Sequence, residues 1–160
     1  MPNIINAFAY PALTDTQTTP SLNVGTFVSL DDGGQAVYVR AASNISQYNA
    51  VLIPATNIAT NATTARSAAT KRLGVAQTSI ASGDYGWVQI GGKLRVNVLV
   101  SCNPAVPLYT TTTEGALDDA TVSGALVSGI VTEVTASAAS AMTAVAAYTM
   151  VISGTIGGIP

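Results

Sequence analysis

Apolar positions along this chain come in short runs, without the 3.6-residue stripe of amphipathic helices. Residues 24–30 and 35–40 are two β-rich runs around Asp31-Asp32-Gly33-Gly34. The intervening residues tolerate positive φ, so the pattern predicts a hairpin. Val51-Leu52-Ile53 is another short strand, closed by Pro54. Residues 73–78 lead through a turn at 81–86 to Trp87-Val88-Gln89-Ile90. Gly91-Gly92 reads as a turn, and residues 93–98 follow it with strict polar–apolar alternation. That period of two is the mark of a half-buried strand. Pro104 and Pro107 bracket a turn before Leu108-Tyr109, and Glu114-Gly115 and Asp118-Asp119 mark further turns. Residues 126–135 predict a strand that a bulge or kink interrupts at Gly129.

Two stretches resist the pattern. Residues 55–71 are small and polar with no firm period, and read as a long surface loop, with two helical turns over 62–70 as the alternative. Residues 136–147 are rich in Ala but lack a cap and an apolar stripe, leaving loop or helix open. The preferred reading is a loop that runs into a last strand at 145–152. Residues 1–22 hold Pro2, Pro11 and Pro20 and predict an extended arm. Strands every 8–12 residues with turn chemistry between them predict an all-β domain over 23–160, a barrel or a sandwich, with helix well below the globular average.

Composition narrows the function. Of 160 residues only 9% are charged, the net charge is −2, and Ala (26) and Thr (21) dominate. Solvated Lys and Glu normally keep proteins apart, so this composition suggests a surface largely covered by partners. The absence of His excludes His-based triads, His general bases and His metal sites. One cysteine excludes an internal disulfide and a structural zinc site. Six scattered Lys and Arg argue against nucleic acid as a partner. Residues 1–22 lack the basic start and apolar stretch of a signal peptide, and the weakly polar run at 141–152 is too short to span a bilayer, so no membrane role is expected.

The candidate chemistry is sparse. Asp31-Asp32, Asp84 and Asp118-Asp119 carry oxygens suited to Ca²⁺, but without a twelve-residue loop motif they read as ordinary turn residues. Cys102 lacks a histidine base and reads as a buried thiol. Gly91-Gly92 and Gly157-Gly158 lack the spacing of phosphate loops. The sequons at Asn44 and Asn61 matter only in a eukaryotic secretory route. No cofactor, metal or catalytic residue is expected. Trp87 with Tyr85 fits a saccharide-stacking platform, but a single Trp opening a strand is more often a core or interface anchor.

The ordered set Gly74-Val75-Ala76, residues 83–92 (GDYGWVQIGG), Pro107-Leu108-Tyr109, residues 114–120 (EGALDDA) and Gly129-Ile130-Val131 resembles the small capsid decoration (cement) proteins of tailed bacteriophages. The resemblance covers about 60 residues. It implies a β-barrel or jelly-roll-like structural protein, not an enzyme and often trimeric, on the outer surface of the virion. Such a protein would be made in the host cytoplasm and clamp neighbouring major capsid subunits. The alternative is a recognition module, such as the base of a head fibre or a host- or glycan-binding fibre domain, and a head fibre protein is then a further partner. Ile4, Ile5, Phe8, Tyr10 and Leu13 give the arm many apolar contacts. It is expected to lie across an adjacent capsid or cement subunit, with Phe8 and Tyr10 as anchors. The candidate partner-binding residues are Ile4, Phe8, Tyr10, Leu13, Tyr85 and Trp87.

Overall fold

The computed structural model describes residues 4, 10–69 and 72–133, together with the backbone of 140–153. Eleven strands form one continuous hydrogen-bonded sheet: β1 (Thr16–Gln17), β2 (Phe27–Ser29), β3 (Gln35–Ala41), β4 (Ala50–Leu52), β5 (Ile58–Asn61), β6 (Arg72–Ala76), β7 (Tyr85–Val98), β8 (Leu108–Thr110), β9 (Leu117–Asp118), β10 (Leu126–Thr132) and β11 (Ser140–Ser153). A single 3₁₀ turn, Arg66–Ala68, is the only helical element among the described residues. The chain is all-β, as its patterning predicts.

The β2–β3 hairpin forms where expected, and its tip shows why Asp and Gly stand there. Leu30 N–H donates to Gly34 O at 2.9 Å, Gly33 N–H to Leu30 O at 3.0 Å, and Gly34 N–H to Asp32 Oδ1 at 2.8 Å. The other Asp32 oxygen accepts from Lys93 N–H at 3.1 Å. The hairpin tip is thereby pinned to the middle of β7.

β7 is the spine. Gly91-Gly92 is not a turn, contrary to the sequence expectation, but a bend inside one 14-residue strand. Gly92 has φ +87, and a Cβ there would come within 2.6 Å of Gly34 Cα. Only glycine combines that backbone angle with that approach. A register shift opposite Gln35/Ala36 marks the accompanying bulge. The Gln89 amide donates to Gly91 O at 2.9 Å and Lys93 O at 3.0 Å, stapling both sides of the bend.

The bend lets one strand serve two closed circuits. Before it, β7 pairs with β3 and β6, and β6–β4–β5–β3 closes a five-stranded barrel through a parallel β3–β5 contact. After it, β7 pairs with β11, and β11–β10–β8–β9 returns to β7 through the parallel Val98↔Leu117 contact. Closure removes edges that would otherwise template aggregation. Strands β4 and β6 lie between the circuits and are buried on both faces. Leu52, Leu73 and Val75 pack with Leu94, Val96, Leu108 and Leu117, whereas Val51, Ile53 and Ala76 pack with Val37, Val39 and Val88.

Two further expectations need correcting. Residues 55–71 contain β5 as well as the 3₁₀ turn. The alternation in β5 is inverted, with Ile58 outside and Ala59 inside, so the pattern hid the strand. In the second ambiguous stretch the last strand begins at Ser140, earlier than the expected 145. Residues 136–139, and Gly157-Gly158, lie outside the described residues. The bulge at Gly129 is present, as a register shift between Ser128 and Ile130.

One turn geometry recurs. Thr26, Asn49, Asp84, Ala116 and Ala125 each donate N–H to the carbonyl three residues earlier. The preceding residue has positive φ each time: Gly25, Tyr48, Gly83, Gly115 and Gly124. These are marks of a type II turn, whose third position favours glycine. Tyr48 is the exception, and its ring lies 4.8 Å beneath the Arg95 guanidinium.

Candidate functional site

The outer face of the first barrel is apolar where β2, β3 and β7 run side by side. Alternation puts Val37, Val39 and Val88 inside the barrel and Ala36, Tyr38 and Trp87 outside it. The N-terminal arm covers this outer face. Leu13 is buried against Val28, Leu30, Tyr38 and Trp87, and Ile4, Tyr10, Leu22 and Tyr85 pack at the margin. Ile4 also forms an antiparallel bridge with Leu30.

Aromatic geometry fixes the arm. Trp87 meets Tyr38 edge-on at a centroid distance of 5.1 Å and Tyr10 edge-on at 6.2 Å, while Tyr85 stacks on Tyr38 at 6.2 Å. The Trp87 indole N–H donates to Pro11 O at 3.1 Å. The Tyr38 hydroxyl donates to Gln17 Oε1, which also accepts from Ser21 Oγ at 2.7 Å. Gln17 and Thr16 pair with Tyr85 and Gly86, adding the arm to β7 as an edge strand. Burial raises the Tyr38 hydroxyl above its ordinary pKa. Beside the arm lies an open cleft of about 390 Å³ lined by Tyr10, Pro20, Ser21, Leu22, Asn23 and Thr26. Among the described residues no charged side chain lines it.

Of the six candidate partner-binding residues, five are therefore brought to this one face. Trp87 is wholly buried and Leu13 nearly so, and both pack on their own chain. Tyr10, expected with Phe8 to anchor the arm, and Leu13 both pack on the chain's own barrel. The reason is physical: the arm's apolar side chains meet an apolar barrel face within reach of the same chain. Phe8 and Ile5 lie outside the described residues.

Exposed apolar side chains gather elsewhere. Phe27 is 56% exposed, and the Arg72 guanidinium lies 4.9 Å from its ring centroid. Val24 and Ile58 are also exposed. They flank Gly25 and Asn57, which abut so closely that a Cβ on Gly25 would come within 2.6 Å of Asn57 Nδ2. Composition did not point to this rim of the first barrel, because single Val, Phe and Ile residues in strands read as core.

Sequence reasoning also missed a polar seam where the 3₁₀ turn meets the 113–116 turn. Asn49 Nδ2 donates to Asn61 Oδ1 at 2.9 Å, Asn97 Nδ2 to Asn49 Oδ1 at 2.8 Å, and Asn61 Nδ2 to Asn44 O at 2.9 Å. Arg66 and Glu114 close the outer end with an ion pair at 2.6 Å. Its members are half exposed, so the pair contributes little beyond geometry. Asn61 is buried within the seam, which removes its sequon as an accessible site.

Cys102, Asp118 and Asp119 bring their ligand atoms within 4.8 Å of one another. Burial pushes the Cys102 thiol up to about 11, and the Asp119 and Asp118 carboxylates add to the rise. Asn103 occupies the carboxylate of Asp119, donating from Nδ2 at 2.6 Å and from its N–H at 3.1 Å, and these bonds hold Asp119 below the usual carboxylate range. A protonated, buried thiol is a poor nucleophile. At pH 8 a disulfide reagent should therefore modify native Cys102 at least ~100-fold more slowly than the urea-unfolded chain. Equal rates would show an accessible thiolate.

Compared with protein-family models, with curated proteins and with solved structures, the chain matches none.

Proposed function

We propose that this chain is a structural virion protein that binds the outer surface of a tailed-phage head as a homotrimer and clamps neighbouring major capsid subunits. The carrying observation is where the ordered sequence pieces fall in the fold. Gly74-Val75-Ala76 lies on β6, residues 83–92 form the turn and first part of β7, Leu108-Tyr109 opens β8, residues 114–118 make a turn and β9, and Gly129-Ile130-Val131 lies on β10. Each piece thus supplies a neighbouring strand or its leading turn in one hydrogen-bonded framework. A charge-poor chain with exposed Phe27, Val100 and Val131 adds support, because such surface is stabilised when a partner covers it. The mechanism needs no catalysis. A protein that binds the assembled shell and not its separated subunits stabilises the shell by about RT ln(1 + [L]/Kd) per site.

The test is re-binding to purified heads stripped of the protein. Saturable, stoichiometric binding and a raised head-disruption temperature are expected. Failure to bind heads, combined with binding to host cells or their glycans, would overturn the reading in favour of a recognition module. The open cleft beside Tyr10 is where such a module would take a ligand.

A further inference from the structure

The Phe27 rim carries an unsolved electrostatic problem. Arg72 is half-buried beside an exposed phenyl ring, and among the described residues its guanidinium makes no ion pair. A guanidinium remains charged at any physiological pH, and one held at a partly buried rim without a carboxylate is poorly compensated. Around it, Val24, Phe27 and Ile58 present apolar surface at the same rim. A complementary partner would offer a carboxylate spaced from an apolar side chain on an extended segment.

This chain displays such a segment. Around the end of β10, Val131 is 45% exposed, Thr132 is buried and Glu133 is exposed, so alternation puts an apolar side chain and a carboxylate on one outward face. Among the described residues the partner of Glu133 is Lys93 at 3.9 Å, and both side chains are exposed to solvent. Such a pair is weak and easily exchanged.

We propose that two copies of this chain meet through these patches, with Val131 of one copy on the Phe27–Ile58 rim of the other and Glu133 facing Arg72. The contact deepens the reading of the chain as a homo-oligomer and rests on it. It joins two different patches, so repeating it around an axis closes a ring, a trimer among the possibilities.

The test is light scattering on the purified full chain across a concentration series, with Trp87 fluorescence and far-UV circular dichroism reporting the fold. The wild type should be oligomeric. Phe27→Asp, Arg72→Glu and Glu133→Arg should each raise the dissociation constant tenfold or more. The combined Arg72→Glu and Glu133→Arg exchange should restore association. Phe27 and Glu133 are exposed, so their variants decide the matter even if Arg72→Glu fails to fold. An oligomer unaffected by Phe27→Asp and Glu133→Arg overturns this contact and leaves self-association standing. A wild type that is monomeric in solution and on heads overturns both. Single variants that dissociate the oligomer without rescue by the exchange overturn the Arg72–Glu133 pairing.

Discussion

Trp87→Ala should lower the unfolding free energy by about 3–5 kcal/mol, the range for removing a large buried aromatic. Two losses combine at this position. Its side chain is fully buried between the outer barrel face and the arm, so truncation leaves a cavity between two elements that only partly relax together. The indole also donates to Pro11 O, so truncation removes a link that ties the arm to the barrel. Among the described residues the arm's other ties are the pairing of β1 with β7, the Ile4–Leu30 bridge, the packing of Tyr10, Leu13 and Leu22, and Gln17 on the Tyr38 hydroxyl. Urea unfolding followed by circular dichroism measures the stability loss, and limited proteolysis within residues 10–22 measures release of the arm. Trp87→Phe keeps an aromatic body without the indole donor and should cost only about 1–2 kcal/mol. If Trp87→Ala left stability within about 0.5 kcal/mol and the arm equally protected, Trp87 would not clamp the arm to the barrel.

The barrel was legible in the sequence where alternation and turn chemistry agreed. Residues 93–98 alternate because Leu94, Val96 and Val98 face a core while Lys93 and Arg95 face solvent. The hairpin at 31–34 was legible because Asp and Gly are needed at its tip. Gly91-Gly92 misled because glycine pairs mark turns and strand bends alike, and only the passage of β7 between two circuits decides which. Strand β5 was hidden because its inward residue is Ala59 and its outward one Ile58. The polar seam was hidden for a different reason. Asn44, Asn49, Asn61 and Asn97 are scattered through the chain and look like ordinary surface amides until the fold converges them. The arm's apolar make-up was visible, but a sequence cannot distinguish an arm that packs on its own barrel from one that packs on a neighbour.

Gly115→Ala should cost about 2–4 kcal/mol, and a companion variant separates the causes. Gly115 has φ +72, a conformation that costs an L-residue about 1–2 kcal/mol. Its N–H donates to Ala62 O at 2.9 Å and its carbonyl accepts from Ala50 N–H at 2.8 Å, so the backbone cannot move without breaking contacts to the chain at the ends of both β4 and β5. An added Cβ would also overlap the Asn49 side chain. Asn49 has nowhere to go, since its amide is committed to Asn61 and Asn97 within the buried seam. Overpacking of that kind adds about 1–3 kcal/mol. Gly83 provides the control, because it holds the same turn position at φ +89 while a Cβ there meets only Arg40 Nη2 at 4.0 Å. Gly83→Ala should therefore show the backbone cost alone, about 1–2 kcal/mol. The difference between the two variants, measured by urea unfolding under identical conditions, reads the steric part. Equal losses would mean that Asn49 yields freely and that the seam is not the rigid junction its hydrogen bonds describe.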